Sequence, residues 1–306
     1  MMDRYLLRYF LAVVDCGSFS RAAAQENVAQ PTLSVGIAKL ERHLGAKLFN
    51  RTSQRVQLTE AGARLSSFAR RIESEFNRAE AAVLGLEPVR LFRLGVLTTI
   101  PTAPLASFVA QAAAHRPGMH VELVEGAEGA LLQRLRRGRV DAALTLLRPD
   151  EPRFAQEQFL TESYALALPA SHRLADRASI PADELGDEVM IVRRQCEVLS
   201  ETSRHFVERG VRPFFALKTT NDDRALALVR AGLGITVMPE SYASEGIRMP
   251  ELAGFRPERR IGLLWAEESE GIASAAKPLV DLLRAAFDRA APRRRPARLR
   301  ADGALP

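Results

Sequence analysis

Up to residue 86 the apolar side chains recur at helical spacing. From Leu91 onward they gather into short runs separated by amphipathic stretches. One packed layer cannot serve both patterns, so the chain has to build two unlike parts on separate cores, and its 306 residues suffice for that.

The first part opens with Leu6, Leu7, Phe10, Leu11 and Val14 on one helical face, which Gly17-Ser18 breaks before capping the next helix. That short second helix carries Phe19 and the small run Ala22-Ala23-Ala24, which lets a neighbouring backbone approach closely, and ends near Asn27. A third helix begins with Pro31 in its first turn, with Leu33, Ile37, Leu40 and Leu44 as one buried stripe and Thr32, Val35, Gly36 and Lys39 on the opposite side. Gly45 ends it. Leu48-Phe49 and Val56-Gln57-Leu58 then flank a basic tip over 50–55, which reads as a hairpin. Residues 1–59 are thus predicted to form a winged helix-turn-helix.

Thr59 is a good N-cap, and apolar residues follow at 61, 65, 68, 72, 76, 79 and 83. The spacing predicts a linker helix over 60–88 with one apolar seam, ended by Glu87-Pro88. So long a seam needs a partner, most simply its own copy in a dimer, with packing on its own chain's body as the alternative.

In the second part, strands are predicted at 92–97, 120–125, 142–146, 165–168, 189–192, 214–218, 235–238 and 261–265, alternating with helices at 101–114, 129–137, 196–208, 222–231 and 273–289. About 25 residues per strand-helix unit suits doubly wound α/β folds with parallel sheets. The body over 89–290 divides into lobe I, 89–163 plus 267–290, and lobe II, 164–266, enclosing a crevice. Residues 291–306, with five arginines, three prolines and no apolar period, read as a disordered basic tail.

Charge follows the same division. Residues 1–60 carry eight Lys/Arg against five Asp/Glu, residues 290–306 five Arg against Asp302, and the 229 residues between sum to −1. A polyanion-binding head on a neutral body is the implication. No run of eighteen apolar residues and no signal-type block occurs, so the expectation is a cytoplasmic protein without a membrane partner. Cys16 and Cys196 lack metal-ligand spacing, and the five histidines pair with no nucleophile or metal motif. No metal, no cofactor and no enzyme activity are expected. Cys196, beside two arginines, reads either as a redox-sensing thiol or as a buried structural one.

Ser18-Phe19-Ser20-Arg21-Ala22-Ala23, Gln30-Pro31-Thr32-Leu33-Ser34, Lys39-Leu40-Glu41, Leu44-Gly45-Ala46-Lys47-Leu48-Phe49-Asn50-Arg51 and Leu58-Thr59-Glu60-Ala61-Gly62 together resemble the signature of LysR-type transcriptional regulators. Gly138-Arg139-Val140-Asp141-Ala142-Ala143 and the stretch from Ala231 to Pro239 are similar to that family's effector domain. The resemblance implies a homodimer through the linker helix, commonly a dimer of dimers, with two lobes of periplasmic-binding-protein type and a small-molecule effector between them.

For DNA, the residues themselves say which would do what. Pro31 presents Gln30, Thr32 and Ser34 toward a major groove, Ser34 having the alternative of bonding its own helix, while Lys39, Arg51 and Arg55 would neutralise phosphates of double-stranded DNA. The sequence departs from the family pattern at Ala29, Val35 and Gly36; Val35 can meet only a thymine methyl. For the effector, the matching positions are Thr98, Thr99, Glu128, Leu146, Arg193 and Arg194. Hydroxyls, a helix N-terminus and arginines together suit an organic anion, with Glu128 needing one of those arginines as its partner. Arg193 and Arg194 have the alternative of being solvated loop charges.

Overall fold

The computed structural model describes residues 2–51, 56–84, 90–115, 119–149, 154–266 and 270–290. The predicted tail, Arg55 and the Glu87-Pro88 break lie outside the described residues. The chain divides into two compact bodies. The first comprises Met1–Ile100, Ala106–Phe159 and Arg260–Leu283, and the second Pro101–Leu105, Leu160–Arg259 and Arg284–Pro306.

In the first body, α1 (Arg4–Cys16) starts where the Asp3 carboxylate accepts the Leu6 N–H and stops at Gly17, whose φ of 62° is a left-handed cap. Ser18 caps α2 (Phe19–Gln25), and α3 (Gln30–Leu44) follows, closed by Gly45. Leu33, Ile37 and Leu40 are fully buried with Phe10, Val13 and Ala22, each large side chain contributing about 1.5–3 kcal/mol. Two members of the expected pattern differ. Leu44 is exposed, because it ends the helix beyond the core. Gly36 faces inward rather than outward: a Cβ there would stand 2.8 Å from the Tyr9 ring, so glycine is what lets α1 and α3 cross.

The wing is an antiparallel pair, β1 (Phe49–Arg51) with β2 (Val56–Leu58), anchored by Phe49 against Phe10 and Phe19. The Glu41 carboxylate, buried at the end of α3, accepts the Leu48 N–H and the Lys47 ammonium and so fixes the turn into the wing. The Thr59 hydroxyl accepts the Gly62 N–H and donates to the Lys47 carbonyl, capping α4 (Glu60–Val83) as predicted. A Cβ at Gly62 would lie 2.1 Å from the Leu48 carbonyl oxygen, so the wing and the linker helix touch backbone to backbone.

The predicted seam on α4 is in fact two faces. Ala61, Leu65, Ala69 and Ile72 pack on the winged-helix core of their own chain, whereas Phe68, Phe76 and Val83 stay exposed.

Further on, β3 (Arg90–Leu97) is the middle of a parallel trio with β4 (Met119–Gly126) and β5 (Ala142–Leu146). Helices α5 (Thr102–His115) and α6 (Glu128–Arg136) supply the crossovers.

The second body is built on β6 (Phe154–Pro169), four times the length of its predicted core and continuous across the division after Phe159. In chain order it continues with β7 (Ser179–Ile180), β8 (Val189–Arg193), α7 (Leu199–Val207), β9 (Phe214–Thr219), α8 (Asp222–Arg230), β10 (Thr236–Pro239), β11 (Ile247–Arg248) and β12 (Glu251–Leu252). β8 and β9 are parallel, as are β7 and β12, while β10 and β11 run antiparallel to β6.

β13 (Glu258–Ala266) corrects the expected lobe boundary. From Ile261 to Trp265 it pairs antiparallel with β5, so residues 260–266 belong to the first body rather than to lobe II. These pairings also make the sheets mixed rather than purely parallel. The last helix, α9, spans Glu270–Ala290.

Candidate nucleic-acid interface and effector domain

At the start of α3 the N-cap is Ala29, whose side chain accepts no hydrogen bond, and Pro31 occupies the first turn. Pro31 has no N–H and the Leu33 N–H donates to the Ala29 carbonyl, so the N–H groups of Gln30 and Thr32 are the ones left for an outside acceptor, as a phosphate or base edge would provide. Gln30, Pro31, Thr32 and Val35 are exposed around this end, Ser34 is half-buried, and Lys39 is exposed more than two turns further along α3. Gln30 Nε2 donates to Ser34 Oγ at 2.9 Å, pre-setting both amide and hydroxyl one turn apart. Val35 is 68% exposed, an apolar group at the centre of a polar surface. Arg51 closes β1 of the wing.

The effector positions fall in both bodies. In the first, the Thr98 hydroxyl and N–H both donate to the Gly126 carbonyl at 3.1 Å, which places Thr98 beside the start of α6. Thr99 and Leu146 are buried. Glu128 does have an arginine partner, but it is Arg148: Nε and Nη2 meet the two carboxylate oxygens at 2.6 and 2.8 Å. The expected partners Arg193 and Arg194 are not used.

Arg193 requires the larger correction. Its side chain is 1% exposed, its Nε and Nη2 bind both oxygens of Asp222, and Nη1 donates to the Val237 carbonyl at 3.0 Å. Burial alone would lower its pKa, but the Asp222 carboxylate outweighs burial and holds it above the usual value. Arg193 is thereby committed to tying β8 to the first turn of α8. Arg194 remains exposed.

A second buried cluster went unread in the sequence. Arg259 donates to Glu162 and Glu197 at 2.9 Å, Tyr164 donates to Glu197 at 3.0 Å, and the Ser241 hydroxyl donates to Glu162. The only local signal would have been charges inside apolar strand patterns.

Between α7 and the β8–β9 pair lies a cavity of about 660 Å³, lined among others by Met190, Cys196, Phe206, Val211 and Phe215. Burial pushes the Cys196 thiol above its ordinary pKa, against the opposing pull of Arg193, so the sulfur is held protonated at neutral pH. Cys196 is half-buried at the cavity wall. Among the described residues no His/Cys/Asp/Glu group could hold a metal ion, and no helix is long and apolar enough to cross a membrane.

The Gly138-Arg139-Val140-Asp141 motif serves packing. Asp141 accepts the Arg93 N–H at 2.7 Å, Arg139 donates to the Val14 carbonyl, and Ser66 of α4 donates to the Arg137 carbonyl at 2.8 Å.

A winged helix-turn-helix with an open third helix, carried by a long helix and followed by an α/β body, defines a DNA-binding regulator with an attached binding domain. The family described as "Bacterial regulatory helix-turn-helix protein, lysR family" matches residues 5–63, and "LysR substrate binding domain" matches residues 86–288. The chain belongs to the LysR family of transcriptional regulators, with a DNA-binding and an effector-binding domain. It is 33% identical over 272 residues to a probable hydrogen peroxide-inducible genes activator of Mycobacterium avium, covering 86% of this chain and 88% of that protein. To the regulator XapR of Escherichia coli K12 it is 30% identical over 249 residues, covering 79% and 83%. The fold is similar to that of a full-length OxyR variant from Pseudomonas aeruginosa, at a TM-score of 0.66 and 24% identity over 93% of this chain and 95% of that one.

Proposed function

We propose that this regulator reads specific DNA sequences with α3, pairs with its own copy through α4, and changes its DNA binding when a small organic anion occupies the effector domain. The observation that carries the reading is the open end of α3. Gln30, Thr32, Ser34 and Val35 offer hydrogen bonds and a methyl surface to base edges, while Lys39 offers charge to phosphate. Arg51 and Arg55 would add phosphate contacts. Thr98, Thr99, Glu128, Leu146 and Arg194 remain candidates for effector contact, and the exposed Phe68, Phe76 and Val83 support self-association as a dimer, with a tetramer as its further assembly.

Fluorescence anisotropy of full-length protein on duplex DNA over a KCl series tests the DNA-binding part. Lys39→Ala should flatten the log–log slope by about one unit, and Thr32→Ala should leave the slope unchanged. An unchanged slope in Lys39→Ala would remove it from the phosphate contacts.

Response to peroxide is a second reading, favoured by the name of the Mycobacterium avium relative and by the position of Cys196 in a cavity. The raised thiol pKa works against it, since the thiolate is the nucleophile toward peroxide. Intact-mass measurement after stoichiometric peroxide decides: oxygen addition lost in Cys196→Ser supports the second reading, and an unmodified Cys196 dismisses it.

A further inference from the structure

The cavity beside α7 has an apolar interior, and its exposed lining residues include cations together with Val207 and Phe215. Met190, Phe206 and Val211 are buried and line it together with Phe215. Polar groups of the wall are already engaged: the Thr202 hydroxyl donates to Val198, the Thr236 hydroxyl to Ile191, and Arg193 is bound to Asp222. The lining therefore offers a ligand apolar surface and few free hydrogen-bonding groups.

At the solvent end stand Arg194, Arg212 and Lys218, all three exposed and, among the described residues, without a carboxylate partner. Among the described residues no Asp or Glu lines the cavity. Three cations above an apolar chamber suit one class of molecule, an acid with a substantial hydrophobic body. Sugars and polar diacids would find few donors inside, and cations would meet like charge at the mouth.

We propose that this cavity binds an amphipathic monocarboxylate, its apolar body against Met190, Phe206, Val211 and Phe215 and its carboxylate among Arg194, Arg212 and Lys218. A volume near 660 Å³ accommodates a medium-chain alkyl or biaryl acid. The site lies wholly within residues 190–237 of the second body. It deepens the reading above by naming an effector class, and it rests on that reading only for the consequence at DNA.

Cys196 lines the cavity and supplies a site-specific reporter. Full-length protein carrying Cys16→Ser has one thiol, whose alkylation by iodoacetamide at mildly alkaline pH is followed by mass spectrometry. The probes are decanoate and 4-phenylbenzoate, with decanol as the neutral control, and their affinities are measured by calorimetry. Both acids should slow Cys196 alkylation at least severalfold. An Arg212→Ala, Lys218→Ala variant, altered only at exposed positions, should bind the acids roughly tenfold more weakly while its affinity for decanol stays unchanged.

The proposal is overturned if neither acid binds, if they bind without protecting Cys196, or if decanol binds as well as decanoate. Anisotropy on DNA separates the two readings. Protection of Cys196 without a change in DNA affinity upholds the site and removes its regulatory role. A change in DNA affinity without protection upholds effector control and removes this site.

Discussion

Replacing Arg193 by Met distinguishes an effector-contacting arginine from one that holds the fold together. The Arg193–Asp222 pair is 1% and 2% exposed, and the guanidinium makes two bonds to the carboxylate and one to the Val237 carbonyl. Methionine fills much of the volume but leaves the Asp222 carboxylate buried without its guanidinium partner, with the Tyr242 hydroxyl at 3.5 Å. Removing one partner of such a pair costs about 3–5 kcal/mol. The second body's main segment spans Leu160–Arg259, and for a unit of that size the loss lowers its melting temperature by roughly 10 °C or more. Arg194→Met, at an exposed neighbour, should change stability by no more than about 0.5 kcal/mol. A double replacement, Arg193→Met with Asp222→Leu, removes both charges and should recover most of the loss. Differential scanning calorimetry of the full-length variants reads all three. A single Arg193→Met protein melting within about 2 °C of wild type would refute the assignment of Arg193 to structure.

Three other outcomes follow from the same packing. Gly62→Ala must displace the Leu48 carbonyl that a Cβ would meet at 2.1 Å, costing about 1–3 kcal/mol by thermal unfolding; an unchanged midpoint would show that wing and linker helix are not in contact. Although burial pushes the Glu41 carboxyl up, the Lys47 ammonium and the Leu48 N–H outweigh it and hold its pKa below the ordinary 4.5. A lowered folded-state pKa contributes stability that is present above the unfolded value and lost as pH falls through the folded one, so wild type should lose stability on acidification below about pH 4.5 more steeply than Glu41→Gln; parallel curves would contradict this. Phe68→Glu with Phe76→Glu should lower the mass measured by light scattering, since each exposed ring buried in a partner contributes about 1.5–3 kcal/mol, and an unchanged mass would place self-association elsewhere.

Local periodicity made most of the fold legible, because the forces involved act over one or two turns. The stripe Leu33, Ile37 and Leu40 and the Thr59 cap are short-range features, and both stand where spacing and residue type put them. Errors arose where a long-range partner decides. The lone glycine at 36 looked outward until α1 crossed above it with Tyr9. The steps of three and four on α4 fit two faces equally, and spacing could not say that Ala69 and Ile72 turn to the chain's own core while Phe68 and Phe76 remain outside. Arg193 stood at a strand end as an anion site would require. The residue that consumes its charge, Asp222, is 29 positions away in the first turn of a helix, where an acid also suits the helix dipole. Glu128 with Arg148 follows the same logic, a pair joined by the sheet rather than by sequence.

The central claim is that α3 reads DNA sequence, and selection from a pool of randomised duplexes tests it with no target site chosen in advance. Full-length wild type should enrich one motif. Thr32→Ala and Val35→Ala should each enrich motifs that differ from it at one or two positions, because these side chains are exposed at the end of the helix that would enter the groove. A pool that stays unenriched through repeated rounds, or variants that return the wild-type motif unchanged, would contradict the claim.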